Sequence, residues 1–168
     1  GANRLSARGF ANKQKLMNHW KNGRTHREEY PNFTIGQYVA RAVQLAEMPV
    51  GGDILGHVDK DGIIIRYDRK INDFVKASVK KGIRTMFKPV DGESYYKDMR
   101  KEDIERGGKI KCLVCGKSEF AERDNFDSCP VCYWENDDYQ IRHPGKSGAN
   151  RMSLNEARVA YREGRPIK

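Results

Sequence analysis

No stretch of this chain approaches the roughly 18 consecutive apolar residues that a helix needs to cross a bilayer, so no membrane span is expected. No secretory leader is visible either. The first residues are Gly1-Ala2-Asn3-Arg4 rather than an initiator Met, and the chain is expected to be part of something longer. Internal repeats and low-complexity tracts are absent, which excludes solenoid and linker-like architectures. Cysteine is scarce: there are four, all between positions 112 and 132, so a disulfide framework running through the whole fold is excluded. Acidic residues are outnumbered. The 168 residues carry 32 Lys+Arg against 23 Asp+Glu, a net of +9. The excess sits early: residues 1–108 hold 21 basic and 14 acidic side chains, residues 109–168 hold 11 and 9. A basic segment suits a polyanion such as RNA or DNA, because each neutralised phosphate releases a condensed counterion. Plain solubility is the competing explanation of the charge.

Hydrophobic periodicity divides what is present. Residues 1–12 read as a polar leader or linker. Leu16, Met17 and Trp20 give 13–22 a short helical pattern ended by Gly23. After a loop with Arg24, His26, Arg27 and Pro31, Thr34 is a good N-cap for a helix whose apolar face is Ile35, Tyr38, Val39, Ala42, Val43 and Ala46. The period then changes to two. Strands at 54–57 and 63–67 flank the hairpin signal Asp61-Gly62, and further turns at 68–70 and 80–82 lead to strands at 73–78 and 83–88. A polar helix is expected over 94–106. Two helices followed by a meandering antiparallel sheet define an α+β fold, with a domain at 13–106. Gly107-Gly108 marks the boundary before a second module at 109–168, a small zinc-ribbon-like unit with a terminal helix.

Cys112-Leu113-Val114-Cys115 and Cys129-Pro130-Val131-Cys132 form two CxxC pairs. Each pair places two thiolates on one side of a tight knuckle, and two knuckles supply an all-sulfur tetrahedral set suited to a structural zinc ion. Gly116 eases the first knuckle. Two disulfides, a redox pair or an iron centre compete, but only four cysteines exist and no βαβ frame surrounds either pair. The run from Cys129 through Trp134-Glu135-Asn136-Asp137-Asp138, then Gly148-Ala149-Asn150, Ser153–Arg158 and Tyr161, resembles the cysteine-rich CPCC domain family of bacteria over roughly 110–165. That family begins with Cys-Pro-Cys-Cys-Gly; here Cys112-Leu113-Val114-Cys115-Gly116 keeps only the outer two cysteines. Ser153 with Glu156 has the capping-box spacing, and Leu154, Ala157, Val159 and Tyr161 give the following helix an apolar side. Trp134 and Tyr133 are expected to pack beside the knuckle.

In the basic domain, His19-Trp20-Lys21-Asn22-Gly23, the Tyr38…Ala42 helix, Tyr67–Phe74, Gly82–Pro89 and Tyr95-Tyr96 resemble a C-terminal toxin domain of bacterial polymorphic toxins. The resemblance covers about 10–100. It departs at Asn22, where related toxins often carry a second His before the Gly; His26 could substitute. It implies the compact α+β ribonuclease fold shared by barnase, the EndoU family, the tRNA-cleaving colicins and RelE. It also implies metal-independent attack of a ribose 2′-hydroxyl on the adjacent phosphorus in tRNA or other structured RNA. Delivery by a secretion system as part of a larger protein, action in the recipient cytoplasm and a neutralising immunity protein follow from the same resemblance.

Such chemistry needs a base, an acid and cations for the phosphorane. His19 is the acid/base candidate, since imidazole titrates near neutrality. Lys21, Arg69 and Arg84 are candidates for stabilising phosphate charge, while Thr85 and Asn72 could hydrogen-bond the phosphate or orient the sugar. Each has a bland alternative: a solvated imidazole, surface charges near turns, a β-branched strand filler and a turn-shaping Asn. Lys76, Lys80, Lys81 and Lys88 could track a phosphate backbone or only guard a sheet edge. The runner-up function is a non-enzymatic zinc-containing nucleic-acid-binding protein.

Overall fold

A computed structural model of the chain describes residues 9–22, 25–102 and 104–167, without the side chains of Lys21, Asn22 and Thr25. Most of the expected leader (1–8) and the expected helix stop, Gly23, lie outside the described residues. Helix α1 (Lys13–Met17) is capped by Asn12, whose side chain accepts from the Lys15 amide, and runs into a π-helical turn over Asn18–Asn22. A short helix α2 (Thr25–Glu29) occupies what the composition reads as a loop. Helix α3 (Ile35–Glu47) begins where Thr34 predicts, and Gln37 closes a capping box with it.

Four strands follow as an antiparallel meander in the order β1-β2-β3-β4: β1 Ile54–Val58, β2 Ile63–Asp68, β3 Asp73–Ser78 and β4 Gly82–Phe87. Asp59 shapes the first hairpin by accepting the amides of Asp61 and Ile63, and Gly62 supplies the left-handed φ of 75°. The fourth strand carries a bulge. Lys76 pairs with Thr85 but Ala77 pairs with Ile83, so Arg84 is the extra residue.

The sheet is covered on both faces. Against one face α3 packs Tyr38, Ala42, Leu45 and Ala46 on Ile64, Val75, Ala77 and Met86. On the other, Ile65, Tyr67, Phe74 and Phe87 meet Tyr95, Tyr96 and Met99 of α4 (Glu93–Arg100), together with Phe126, Tyr139 and Ala149 from the cysteine-rich segment. The expected α+β class is observed. Side chains from 13–106 and from 109–168 fill one apolar layer, because Phe126 and Tyr139 complete the sheet face that the short α4 leaves uncovered.

The cysteine-rich segment contains β5 (Ile110–Lys111) paired with β6 (Glu119–Phe120), then α5 (Asp138–Arg142) and α6 (Leu154–Arg162). Ser153 and Glu156 form the capping box at the start of α6. Leu154, Ala157 and Ala160 are buried there, whereas Val159 turns outward. Position 159 lies off the stripe traced by 154, 157 and 160, which is what a period of about 3.6 residues dictates.

Candidate metal centre and a histidine–carboxylate cluster

Each CxxC knuckle closes by the same local geometry. Gly116 donates its amide to Cys112 and Tyr133 to Cys129, each at 2.9 Å, and both residues adopt left-handed backbone, with φ of 69° and 68°. Tyr133 therefore takes the position filled by glycine in the first knuckle, and its ring is turned to solvent rather than packed beside the cysteines. Trp134, by contrast, is buried among Cys112, Cys129, Cys132, Phe120 and Leu154.

The four sulfurs lie within 4.8 Å of one another, with Cys112–Cys132 and Cys115–Cys129 separations of 3.6 Å, and none is disulfide-bonded. Four sulfurs at tetrahedral angles and bond lengths of ~2.3 Å from one ion would be about 3.8 Å apart, so the observed cage fits a four-coordinate metal. Amides of Lys117 and Val131 and the Ser118 hydroxyl point at Cys115 or Cys129 sulfur, as thiolates holding a cation require. All four predicted ligands are brought together.

Beyond the second knuckle the chain becomes buried and polar. Asn150 clamps the backbone of Glu135, accepting its amide and donating to its carbonyl, both at 2.8 Å. Gln140 accepts from the Asn150 amide and side chain, and donates to the carbonyls of Lys146 and Met152. This frame aims the Glu135 carboxylate at two imidazoles. His26 donates Nε2–H to Glu135 Oε2 at 2.6 Å and Nδ1–H to Glu29 Oε2 at 2.9 Å. Burial alone would lower the His26 pKa, but the two carboxylates outweigh it and raise it to about 10. Glu135 is likewise opposed by burial, yet His26 and His19 bring it down to about 2.

His19 donates Nδ1–H to the Lys15 carbonyl at 2.8 Å, leaving Nε2 to face Glu135 Oε1 at 2.9 Å. That contact is close enough for an ion pair but out of hydrogen-bond alignment, and both atoms are buried without another partner. The two imidazoles stack with centroids 5.9 Å apart, and His26 also stacks on Phe87. Thr85 Oγ1 lies 3.5 Å from His26 Nε2 and is fully buried.

The structure gathers some of the candidate residues and separates others. His19 and Thr85 flank His26. Arg84, on the bulge, faces Glu122 at 3.3 Å. Arg69 pairs with Glu93 at 2.9 Å, and Asn72, at φ 60°, accepts from the Tyr67 hydroxyl and donates to the Pro89 carbonyl. Those two shape the β2–β3 turn; Asn72 is four residues from Lys76, the partner of Thr85, or ~13 Å along the strand. The Lys21 side chain lies outside the described residues. Lys76 is buried on Asp124, and Lys88 reaches Asp73 and the Ile71 carbonyl. Glu29 carries no motif of its own, and Glu135 falls in the run that resembles the cysteine-rich family without any role being read for it there.

A family model of the cysteine-rich CPCC type matches residues 110–164. No curated protein matches the chain. Over residues 110–164 the chain is thus similar to the cysteine-rich CPCC type, and its four cysteines are placed so that they could hold a metal ion.

Proposed function

We propose that this chain is a metal-independent endoribonuclease of the antibacterial toxin type, stiffened by a structural zinc ion on Cys112, Cys115, Cys129 and Cys132. The observation that carries the catalytic reading is the pair of imidazoles directing Nε2 at one carboxylate. An anion position flanked by two proton carriers is what 2′-hydroxyl transesterification needs: one imidazole takes the 2′-proton, the other protonates the 5′-oxygen as it leaves, and the scissile phosphate sits between them. The basic balance of residues 1–108 and the sequence resemblance to polymorphic toxin domains support the same reading. Four thiolates close the zinc shell, leaving no open position for water, so the ion holds the knuckles together and takes no part in cleavage. Structured RNA such as tRNA is the substrate class, the site of action is a recipient cell's cytoplasm after delivery by a secretion system, and an immunity protein protects the producer.

The test is incubation of structured RNA with purified protein without added divalent cation. The expected products end in 2′,3′-cyclic phosphate and disappear with His19→Ala. Burial of Thr85 and both imidazoles favours one competing reading, a nucleic-acid-binding protein without catalysis; intact RNA that shifts on a gel would establish it instead.

A further inference from the structure

Glu135 bridges the Nε2 edges of the two stacked imidazoles. The remaining cavity, lined by His19, His26, Ser128, Tyr133, Glu135 and Asn150, measures about 10 Å³, too small for a phosphodiester. The same loop places three more carboxylates on cations of the basic segment. Asp127 meets Lys15 at 2.7 Å, Asp124 meets Lys76 at 2.7 Å and Arg106 at 2.9 Å, and Glu122 meets Arg84 at 3.3 Å. Four acids within residues 122–135 thus cover cations or imidazoles from α1, the π-helical turn, α2, β3 and β4.

We infer that residues 122–135 act as an intramolecular inhibitor, an anionic plug in which Glu135 occupies the position of the scissile phosphate and the rim acids Glu122 and Asp127 occupy positions of flanking phosphates, while Asp124 fastens the plug to the sheet. The inference rests on the ribonuclease reading for the identity of the site. With Glu135 in place, both ring nitrogens of His26 are hydrogen-bonded and His19 Nε2, its Nδ1 already on the Lys15 carbonyl, is blocked by Glu135 Oε1 at 2.9 Å, so a substrate reaches neither Nε2 until that carboxylate leaves. A carboxylate serving only to orient one imidazole would occupy its far nitrogen and leave the other open to the substrate; here Glu135 is shared by the Nε2 atoms of both.

The plug has a fixed base and a looser rim. Cys129, Cys132 and Trp134 anchor it in the metal module, and Phe126 is buried against the sheet. Toward the outside, the Lys15–Asp127 pair is about a third exposed, with side-chain exposures of 34% and 30%. A cleft of about 310 Å³ runs along this seam, with Lys15, Lys81 and Arg84 on one wall and Glu122, Asn125 and Asp127 on the other. Rim pairs of this kind are weak and salt-sensitive, so the seam is where RNA would first compete with the plug.

The test compares the full metal-loaded chain with Glu135→Gln, with Glu122→Gln/Asp127→Asn at the rim, and with Glu135→Gln/His19→Ala. Cleavage of structured RNA and binding of the same RNA with 2′-O-methyl riboses, which cannot be cleaved, are both measured. Glu135→Gln is expected to raise cleavage and binding by about tenfold or more, since apparent affinity scales with the fraction of open sites. The rim variant, which leaves the buried cluster intact, is expected to raise binding by a smaller factor. The double variant should bind like Glu135→Gln yet not cleave. If Glu135→Gln and the rim variant bind no more tightly than the parent chain, the plug is refuted. A fall in cleavage with Glu135→Gln in folded protein would make Glu135 a positioning residue and refute it too. Tighter binding by Glu135→Gln and the rim variant, with no cleavage by either or by the parent chain, would overturn the ribonuclease reading while leaving the plug in place.

Discussion

Removing the carboxylate of Asp124 should unfold more than the loop that carries it. Its Oδ2 lies 2.7 Å from Lys76 Nζ and 2.9 Å from Arg106 Nη2, and its Oδ1 accepts the Asp138 amide at 3.1 Å. The side chains of Lys76 and Asp124 are 1% and 0% exposed, and the Lys76 ammonium also stands 4.5 Å from the Phe126 ring. One carboxylate therefore ties the sheet centre, the residues after α4 and the start of α5. Breaking a buried pair from one side costs about 3–5 kcal/mol, because the partner charge stays buried without compensation. In a chain of this size each kcal/mol moves the melting temperature by about 2–4 °C, so Asp124→Ala should lower it by roughly 6–20 °C. Lys76→Met should cost less, about 1–3 kcal/mol, since Arg106 still neutralises Asp124. The pair Lys76→Met/Asp124→Leu should recover part of the loss, as apolar replacements of buried ion pairs do. Differential scanning calorimetry of the metal-loaded protein gives the comparison, with one cooperative transition expected. The reasoning fails if Asp124→Ala shifts the midpoint by less than about 2 °C, or if Lys76→Met is the more damaging change.

The His26–Glu135 pair predicts a stability profile with two limbs. Glu135, held down at about 2, contributes stability present above its ordinary 4.5 and lost as pH falls toward 2. His26, held up at about 10, contributes stability complete below 6.5 and lost as pH rises through 10, and urea midpoints of His26→Gln should lack that alkaline limb. Asp137, pushed to about 7 by burial and by Asp124, works against the fold as pH rises from 3.8 to 7, which moves the summit of the profile to the acid side. Gly148→Ala would set a Cβ 2.5 Å from Asp137 Oδ2 and 2.8 Å from Gln140 Cγ, and should destabilise by about 1–3 kcal/mol, whereas Gly145→Ala, with no neighbour within 4 Å, should be neutral in the same thermal melt. Elemental analysis should find one zinc per chain, lost in Cys129→Ser. Stripping it should speed amide hydrogen exchange across 110–135 before it does so in the sheet.

The legible part of the fold is the part that neighbouring residues specify. Thr34, Asp61-Gly62 and Ser153 with Glu156 each set a backbone geometry within four residues, and each element begins or turns where they stand. The two CxxC pairs are of the same kind, since a knuckle is closed by its own amides. Helix α2 escaped because five residues among turn-forming neighbours carry too little periodicity to register. Tyr133 escaped because its left-handed backbone is held by the knuckle rather than by its own preference.

What this sequence determines by itself is therefore local: the caps, the meander, the sulfur cage and a surplus of basic charge in the first two-thirds of the chain. Only tertiary packing decided where that charge goes. His26 and Glu135 are 109 residues apart, and although Glu135 lies in the run that resembles the cysteine-rich family, its carboxylate has no direction until Asn150 and Gln140 fix it. The physical reason is range. Backbone preferences act over a few residues, whereas the meeting of an imidazole and a distant carboxylate depends on how whole elements pack against the sheet.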